Sequence, residues 1–457
     1  MSRGNAFAYI VLLGWPLFSI WLYKKKNIQL ATLITIIGGF MLLAVGTTVD
    51  FPLIPPLGKH SMPVVSAVIG CWFIKKQTIK YFSNEGITQV LVLLLLVGTF
   101  VTIELNGDQI FTGEKILPGL TRHDAISSVI RAFIQITPFF IGKQFFKTYQ
   151  DQRLMFRFLA VVGLIYSIPI LFEVRMSPQL HTWIYGYFPH SFAQASRDGG
   201  FRPVVFIGHG LAVAFFIVCT IYASVSLSLL GEKIRNFTAS RVSYYLVFIL
   251  VLCKSKASLL YGVFGFIMIK KISYENQIRA ATLLAIITLA YPAMSVLKVF
   301  PHQQVLDVAA SLAGERRTES LAFRFRNERI LLEHAVERPY FGWGGAGRNR
   351  VYNEDTGKDE SVTDGSWIII FGMYGLFGYI AKFGLLVVSI FSARRAAKLI
   401  IDKDETSLLA AHALLVGIIM IDQIPNSSLA PWLWLVVGAL LGRSENIIAL
   451  KKVKSRV

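Results

Sequence analysis

The chain has 457 residues, with 46 Lys or Arg against 27 Asp or Glu for a formal charge of +19; 54% of residues are apolar and only 16% charged. A soluble domain carries roughly a quarter charged residues, so charge is too sparse here to cover soluble globules of this size. The 34 Phe, 17 Tyr and 8 Trp spread along the chain exclude disorder, leaving a polytopic membrane protein.

Apolar runs that approach the roughly 20 helical residues of a bilayer crossing fall at 7–23, 28–48, 61–74, 87–105, 125–141, 158–172, 204–230, 242–253, 257–269, 280–300, 366–391, 408–424 and 429–441. That is about thirteen spans; because three are short, the range is 11–13. They group as N-terminal helices in 1–172, a central set in 173–300 with an Arg-containing connection, a large loop over 301–364, and C-terminal helices with a basic tail in 365–457. The expected fold is all-α, with the long loop carrying an amphipathic helix.

Basic residues in short connections set the orientation. One side gathers 25 of them, including Lys24–Lys26, Lys75, Lys76, Lys270, Lys271, Arg394, Arg395 and the tail, against ten on the other side outside the 301–364 loop. The richer side is expected to be cytoplasmic, together with the C-terminus. The positive charge is then a topology signal whose partners are anionic membrane lipids, and nucleic acid is not expected. The first apolar run precedes Lys24–Lys26, the reverse of a signal peptide's order, so no cleaved signal is expected.

The 301–364 loop holds eight Arg, one Lys and eleven acids. From Thr318 to Glu337, Leu321, Phe325, Leu332, Ala335 and Val336 recur at helical spacing. Arg324 with Glu328, and Arg329 with Glu333, are four apart and can pair on a helix surface. The helix should stop before Pro339. Gly342–Gly347, flanked by Arg338, Arg348 and Arg350, reads as a turn after that helix or as an anion cradle.

Among Arg202, Arg316, Arg317, Arg324, Arg326 and Arg329, guanidinium forks suit phosphate, although a solvated charge run is the better reading for most of them. Arg202 differs, because it opens a span at headgroup depth. Glu104, Arg131 and Asp422 sit in the outer parts of their spans and suggest a polar cavity open to that face, while Lys382 is expected to snorkel. Asp402 and Asp404 read as a solvated acidic turn. Cys71, Cys219 and Cys253 fall inside apolar runs as buried thiols. No HExxH or GxSxG occurs, so neither metal hydrolysis nor serine chemistry is expected.

Four separated pieces together resemble the O-antigen ligase and polysaccharide polymerase superfamily. They are Arg202-Pro203 to Gly208-His209; Ser255-Lys256-Ala257; Arg324 ahead of Pro339 and Phe341-Gly342-Trp343-Gly344; and Asp364-Gly365 with Gly375 and Gly378 beyond. Asp364 stands where the ligases usually carry His-Asn, which places the likeness nearer the O-antigen or exopolysaccharide polymerase branch. The resemblance implies a glycosyltransferase of the bacterial inner membrane, without metal or other cofactor. It would polymerise undecaprenyl-pyrophosphate-linked oligosaccharide repeats at the periplasmic face, alongside a flippase and a chain-length regulator as partner proteins.

On that resemblance, Arg202 and Arg324 stabilise the pyrophosphate leaving group and Asp364 orients or deprotonates the acceptor hydroxyl, with inversion at the anomeric carbon. Lys256, His209, Arg326, Arg329 and Arg348 are the expected substrate-binding residues. Asp364 also fits a helix N-cap. The alternatives are a ligase to lipid A core or protein, and a lipid-glycan flippase or transporter with the same topology.

Overall fold

The computed structural model describes residues 3–51, 54–82, 86–197, 199–313 and 315–454. The longer helices are α1 (Ala6–Lys25), α2 (Ile28–Leu42), α3 (Met62–Ile74), α4 (Gly86–Glu104), α5 (Arg122–Phe145), α6 (Tyr149–Met176), α7 (Gly210–Leu229) and α8 (Ala239–Leu252). They continue as α9 (Lys256–Lys271), α10 (Tyr274–Val296), α11 (His302–Ala313), α12 (Glu315–Ala335), α13 (Ser366–Ala397), α14 (Lys403–Asp422) and α15 (Pro431–Lys454). Among the described residues, nine of these are long and apolar enough to cross a membrane: α1, α4, α5, α6, α7, α10, α13, α14 and α15. The helices α2, α3 and α8 are shorter and apolar. The protein is an all-α, multi-pass membrane protein.

Local chemistry sets the helix starts. Asn5 and Asn27 accept from the backbone N–H groups of Ala8 and Leu30 to begin α1 and α2. Thr121 with Asp124, and Thr148 with Asp151, form reciprocal capping boxes on α5 and α6. Asp402 accepts from Glu405 N at 2.8 Å and caps α14, so the Asp402-x-Asp404 pair begins a helix and does not form a free turn.

The centre is built from α7 and α14, whose side chains are buried almost throughout, while α1 and α4 turn Leu13, Leu17, Val90 and Val97 outward. Small residues let backbones approach. A side chain on Gly438 or Gly442 of α15 would run into the Phe139 or Lys143 carbonyl of α5, the close contact that small-xxx-small spacing provides in apolar surroundings. All three cysteines are buried and free.

The 106–121, 173–209 and 301–365 connections gather at one end of the bundle, the end that the distribution of basic residues leads one to expect on the outer side, and it is called the outer end on that expectation. Short antiparallel hairpins (Thr48–Phe51 with Ile54–Gly58, Ile110–Thr112 with Lys115–Leu117, Ser196–Arg197 with Gly200–Phe201) stiffen it. The charged loop holds two helices, α11 and α12. The second ends at Ala335, ahead of Pro339 as the sequence requires.

The segment after α12 fills a break in α13. Gly375 adopts φ +63°, and a side chain there would strike the Tyr340 carbonyl. The interrupted ladder is completed from outside: Leu376 N and Phe377 N donate to the carbonyls of Pro339 and Tyr340 at 2.7 and 3.2 Å. Trp343 N and Gly344 N donate in turn to those of Gly372 and Met373 at 2.9 and 2.8 Å. The Gly-rich stretch is therefore a turn after α12, as one of the two sequence readings has it, and it is also packed into the break of α13. Two of its N–H groups satisfy orphan carbonyls of a broken membrane helix.

Candidate functional site at the outer end

Glu173 shapes the approach to Arg202. Its carboxylate accepts from Val204 N and Val205 N at 2.7 Å each and from Leu180 N at 3.1 Å, while Tyr166 Oη accepts from Phe206 N and Ile207 N at 3.2 Å. The 204–208 stretch, read as part of a span, is thus irregular backbone held by side chains, and α7 starts only at Gly210. Arg202 is buried. It donates from Nη2 to the Lys254 carbonyl at 2.9 Å, and its methylenes lie where Gly210 leaves room. Lys254 Nζ donates back to the Arg197 carbonyl at 2.9 Å.

His209 caps α7, its Nδ1 accepting from Leu211 N at 3.1 Å, and its ring meets His190 edge-on at 4.6 Å. Burial pushes the imidazole down to about 4, with the charges of His190, Arg202 and Arg324 adding to the effect. Arg202 and Arg324, from distant stretches of chain, therefore act on one imidazole.

Arg324 Nε lies 3.4 Å from Asp364 Oδ2, with both side chains part-exposed. The cap position of α13 is Gly365, without a side-chain cap bond, so Asp364 does not serve as the N-cap. Glu328 does not pair with Arg324 on the helix surface as its spacing suggested. It turns inward and accepts from Tyr291 Oη at 2.8 Å and Trp367 Nε1 at 3.2 Å. Asp422 is buried behind, accepting from Asn426 Nδ2 at 2.8 Å and Ser428 Oγ at 2.7 Å, and it feels the Arg324 charge.

A cavity of about 800 Å³ opens beside this group. Among the described residues its ionisable lining is Arg131, Lys382 and three histidines, His60, His190 and His209, accompanied by the Ser366, Ser427 and Ser428 side chains. Lys382 is 8% exposed, lines this cavity and sits 5.3 Å from the Tyr374 ring, so it does not snorkel. Glu104 lies apart, 3.9 Å from Arg122.

The remaining expected binding residues separate. Lys256 is exposed at the first turn of α9, and Lys254, two residues earlier, is the lysine that meets the Arg202 loop. Arg326 and Arg329 are exposed on α12, and the side chains of Arg316 and Arg317 lie outside the described residues. Arg348 is 1% exposed and its guanidinium is occupied by protein. It donates to the carbonyls of Asp108 at 2.7 Å, Pro118 at 3.2 Å and Trp343 at 3.3 Å, and to Asp108 Oδ1 at 3.1 Å. Arg348 is a clamp between loops, with no fork left for a substrate.

Sequence reasoning missed Lys59, Lys254, Glu328 and His190. Lys59 is buried and donates to the carbonyls of Leu43 at 2.6 Å and Phe206 at 2.8 Å; burial pushes its ammonium well below the usual lysine range. A lysine bracketed by Gly58 and His60 between two apolar runs was the only available signal. Among the described residues no group of three His, Cys, Asp or Glu is placed to hold a metal. No protein-family model and no curated protein matches the chain.

Proposed function

We propose that the protein is a membrane glycosyltransferase that polymerises polyprenyl-pyrophosphate-linked oligosaccharide repeats at the outer face of the inner membrane. The nine long helices, the three shorter apolar ones and α9 make thirteen spans on this reading, with the C-terminus cytoplasmic. The observation that carries the reading is the Arg324–Asp364 pair at 3.4 Å, close to a cavity that holds Arg131 and Lys382.

The chemistry follows from the charges. A pyrophosphate is already a good leaving group, so fixed guanidinium groups where negative charge grows lower the barrier without a strong acid. Arg202, buried and oriented by the Lys254 carbonyl, and Arg324, at the mouth, would bracket the diphosphate. Asp364 would orient the acceptor hydroxyl for attack from the opposite face of the sugar, inverting the anomeric carbon. Lys256, Arg326 and Arg329 fit an outer approach surface at most. A ligase would use the same site with a different acceptor.

Lys382 favours a second reading. A buried lysine on a broken membrane helix, lining a cavity together with Arg131, also suits a carrier of anionic lipid-linked glycans. Reconstitution of the purified protein with lipid-linked repeats separates the two. Chain lengthening supports the transferase, whereas transfer of unlengthened lipid between leaflets would replace it with the carrier.

A further inference from the structure

Asp364 is engaged by Arg324, but one turn along α12 a second carboxyl, Glu328, faces the same gap, and among the described residues no ion pair is formed by it. Both hydrogen-bond donors to Glu328, Tyr291 of α10 and Trp367 of α13, are neutral. The gap it shares with Arg324 and Asp364 is otherwise apolar, walled by Phe325, Leu331, Ile368 and Ile424. Its volume of about 40 Å³ is room for roughly one water molecule. Burial pushes the Glu328 carboxyl up to about 7, so it can take or release a proton near neutrality.

We infer that Glu328 is the proton store behind Asp364 in the transfer reaction, and this rests on the transferase reading above. The acceptor oxygen bonds to the anomeric carbon as the bond from that carbon to the pyrophosphate oxygen breaks, and the electron pair leaves on the pyrophosphate. The hydroxyl proton passes to Asp364 and, across the gap, comes to rest on Glu328; it returns to solvent before the next cycle. Glu328 is a positioning residue in this scheme, because it acts through Asp364 and does not touch the sugar.

The groups facing Glu328 are Tyr291 from α10, Trp367 and Asp364 from the start of α13, and Arg324 from its own helix; the 424–425 segment after α14 presents only apolar side chains. Of these, Arg324 and Asp364 are paired with each other. That leaves Glu328 as the group whose proton can come and go without breaking an ion pair.

The test uses the full-length protein in lipid nanodiscs. Infrared difference spectra without substrate are expected to show a protonated carboxyl that titrates near pH 7 and is missing in Glu328→Gln. Polymer formation from lipid-linked repeats is expected to fall about tenfold per pH unit below that point in the wild type. Glu328→Gln should be at least about tenfold slower at pH 8, with a flat profile and unchanged KM for the donor, and Glu328→Asp should restore part of the dependence. A wild-type profile in Glu328→Gln, or no titrating carboxyl in the wild type, would overturn the proton store and leave the transferase standing. A wild type that makes no polymer would overturn both.

Discussion

Arg324 pairs with Asp364 at 3.4 Å although Glu328, one helical turn away, offers it a partner on its own helix. The choice ties α12 to the entrance of α13 and leaves both side chains part-exposed at the mouth of the site. An exposed pair of this kind contributes about 0–1 kcal/mol to folding, so removing it should cost the fold little.

Arg324→Ala is accordingly expected to abolish polymer formation, by about 100-fold or more, while the protein still inserts and accumulates. Full-length polymer from cells carrying the variant, at normal protein abundance, would remove Arg324 from the site.

Arg348 should behave in the opposite way. Its buried fork joins the 106–118 connection to Trp343, so Arg348→Met leaves several acceptors unpaired and is expected to cost about 3 kcal/mol of stability. Arg326→Ala, at an exposed position on α12, should change stability by less than about 0.5 kcal/mol. Thermal unfolding in detergent, together with proteolysis of the outer connections, compares the two. Equal melting temperatures would mean that the clamp is not structural.

How far the sequence carries can be judged at these same arginines. The nine long apolar helices were legible because apolar run length is a one-dimensional property, and α12 was legible because its apolar spacing and the stop before Pro339 are local. Arg326 and Arg348 look alike in sequence, each an arginine in a charged loop, yet one is exposed and the other almost wholly enclosed. What separates them is the 106–118 connection, far away in the chain. The break in α13 was hidden for a similar reason: Gly375 reads as an ordinary membrane glycine until Tyr340 is packed against it. Glu328 was misread because helical spacing offers a surface partner and says nothing of Tyr291 and Trp367 on other helices.

Metal removal provides a separate check on the charge chemistry. If Arg202 and Arg324 carry the neutralisation of the leaving diphosphate, excess EDTA should leave the initial rate unchanged, and added Mg²⁺ should not raise it. A rate that collapses with chelator and recovers with a divalent ion would shift the leaving-group role from guanidinium to metal.

The outer end should loosen in acid through His181. This ring is 1% exposed in the 173–203 connection, where Nε2 accepts from Val45 N at 3.3 Å and Nδ1 meets the Tyr187 carbonyl at 2.9 Å. The neutral tautomer with its proton on Nδ1 satisfies both contacts, while a second proton on Nε2 would face the Val45 N–H. Burial therefore pushes the ring from 6.5 down to about 4, with the Lys59 charge adding to the fall and the Tyr187 carbonyl opposing it. A base whose folded value is depressed contributes stability that is complete above about pH 6.5. That stability is lost as the pH falls toward about 4, because the unfolded chain binds the proton first. The wild type should therefore melt progressively lower across that window, and His181→Gln, which cannot titrate, should show a shallower decline, the difference reaching about 3 kcal/mol at the acid end. Parallel melting curves for the two proteins between pH 7 and pH 4.5 would show that this imidazole is not what holds the 173–203 connection against Val45.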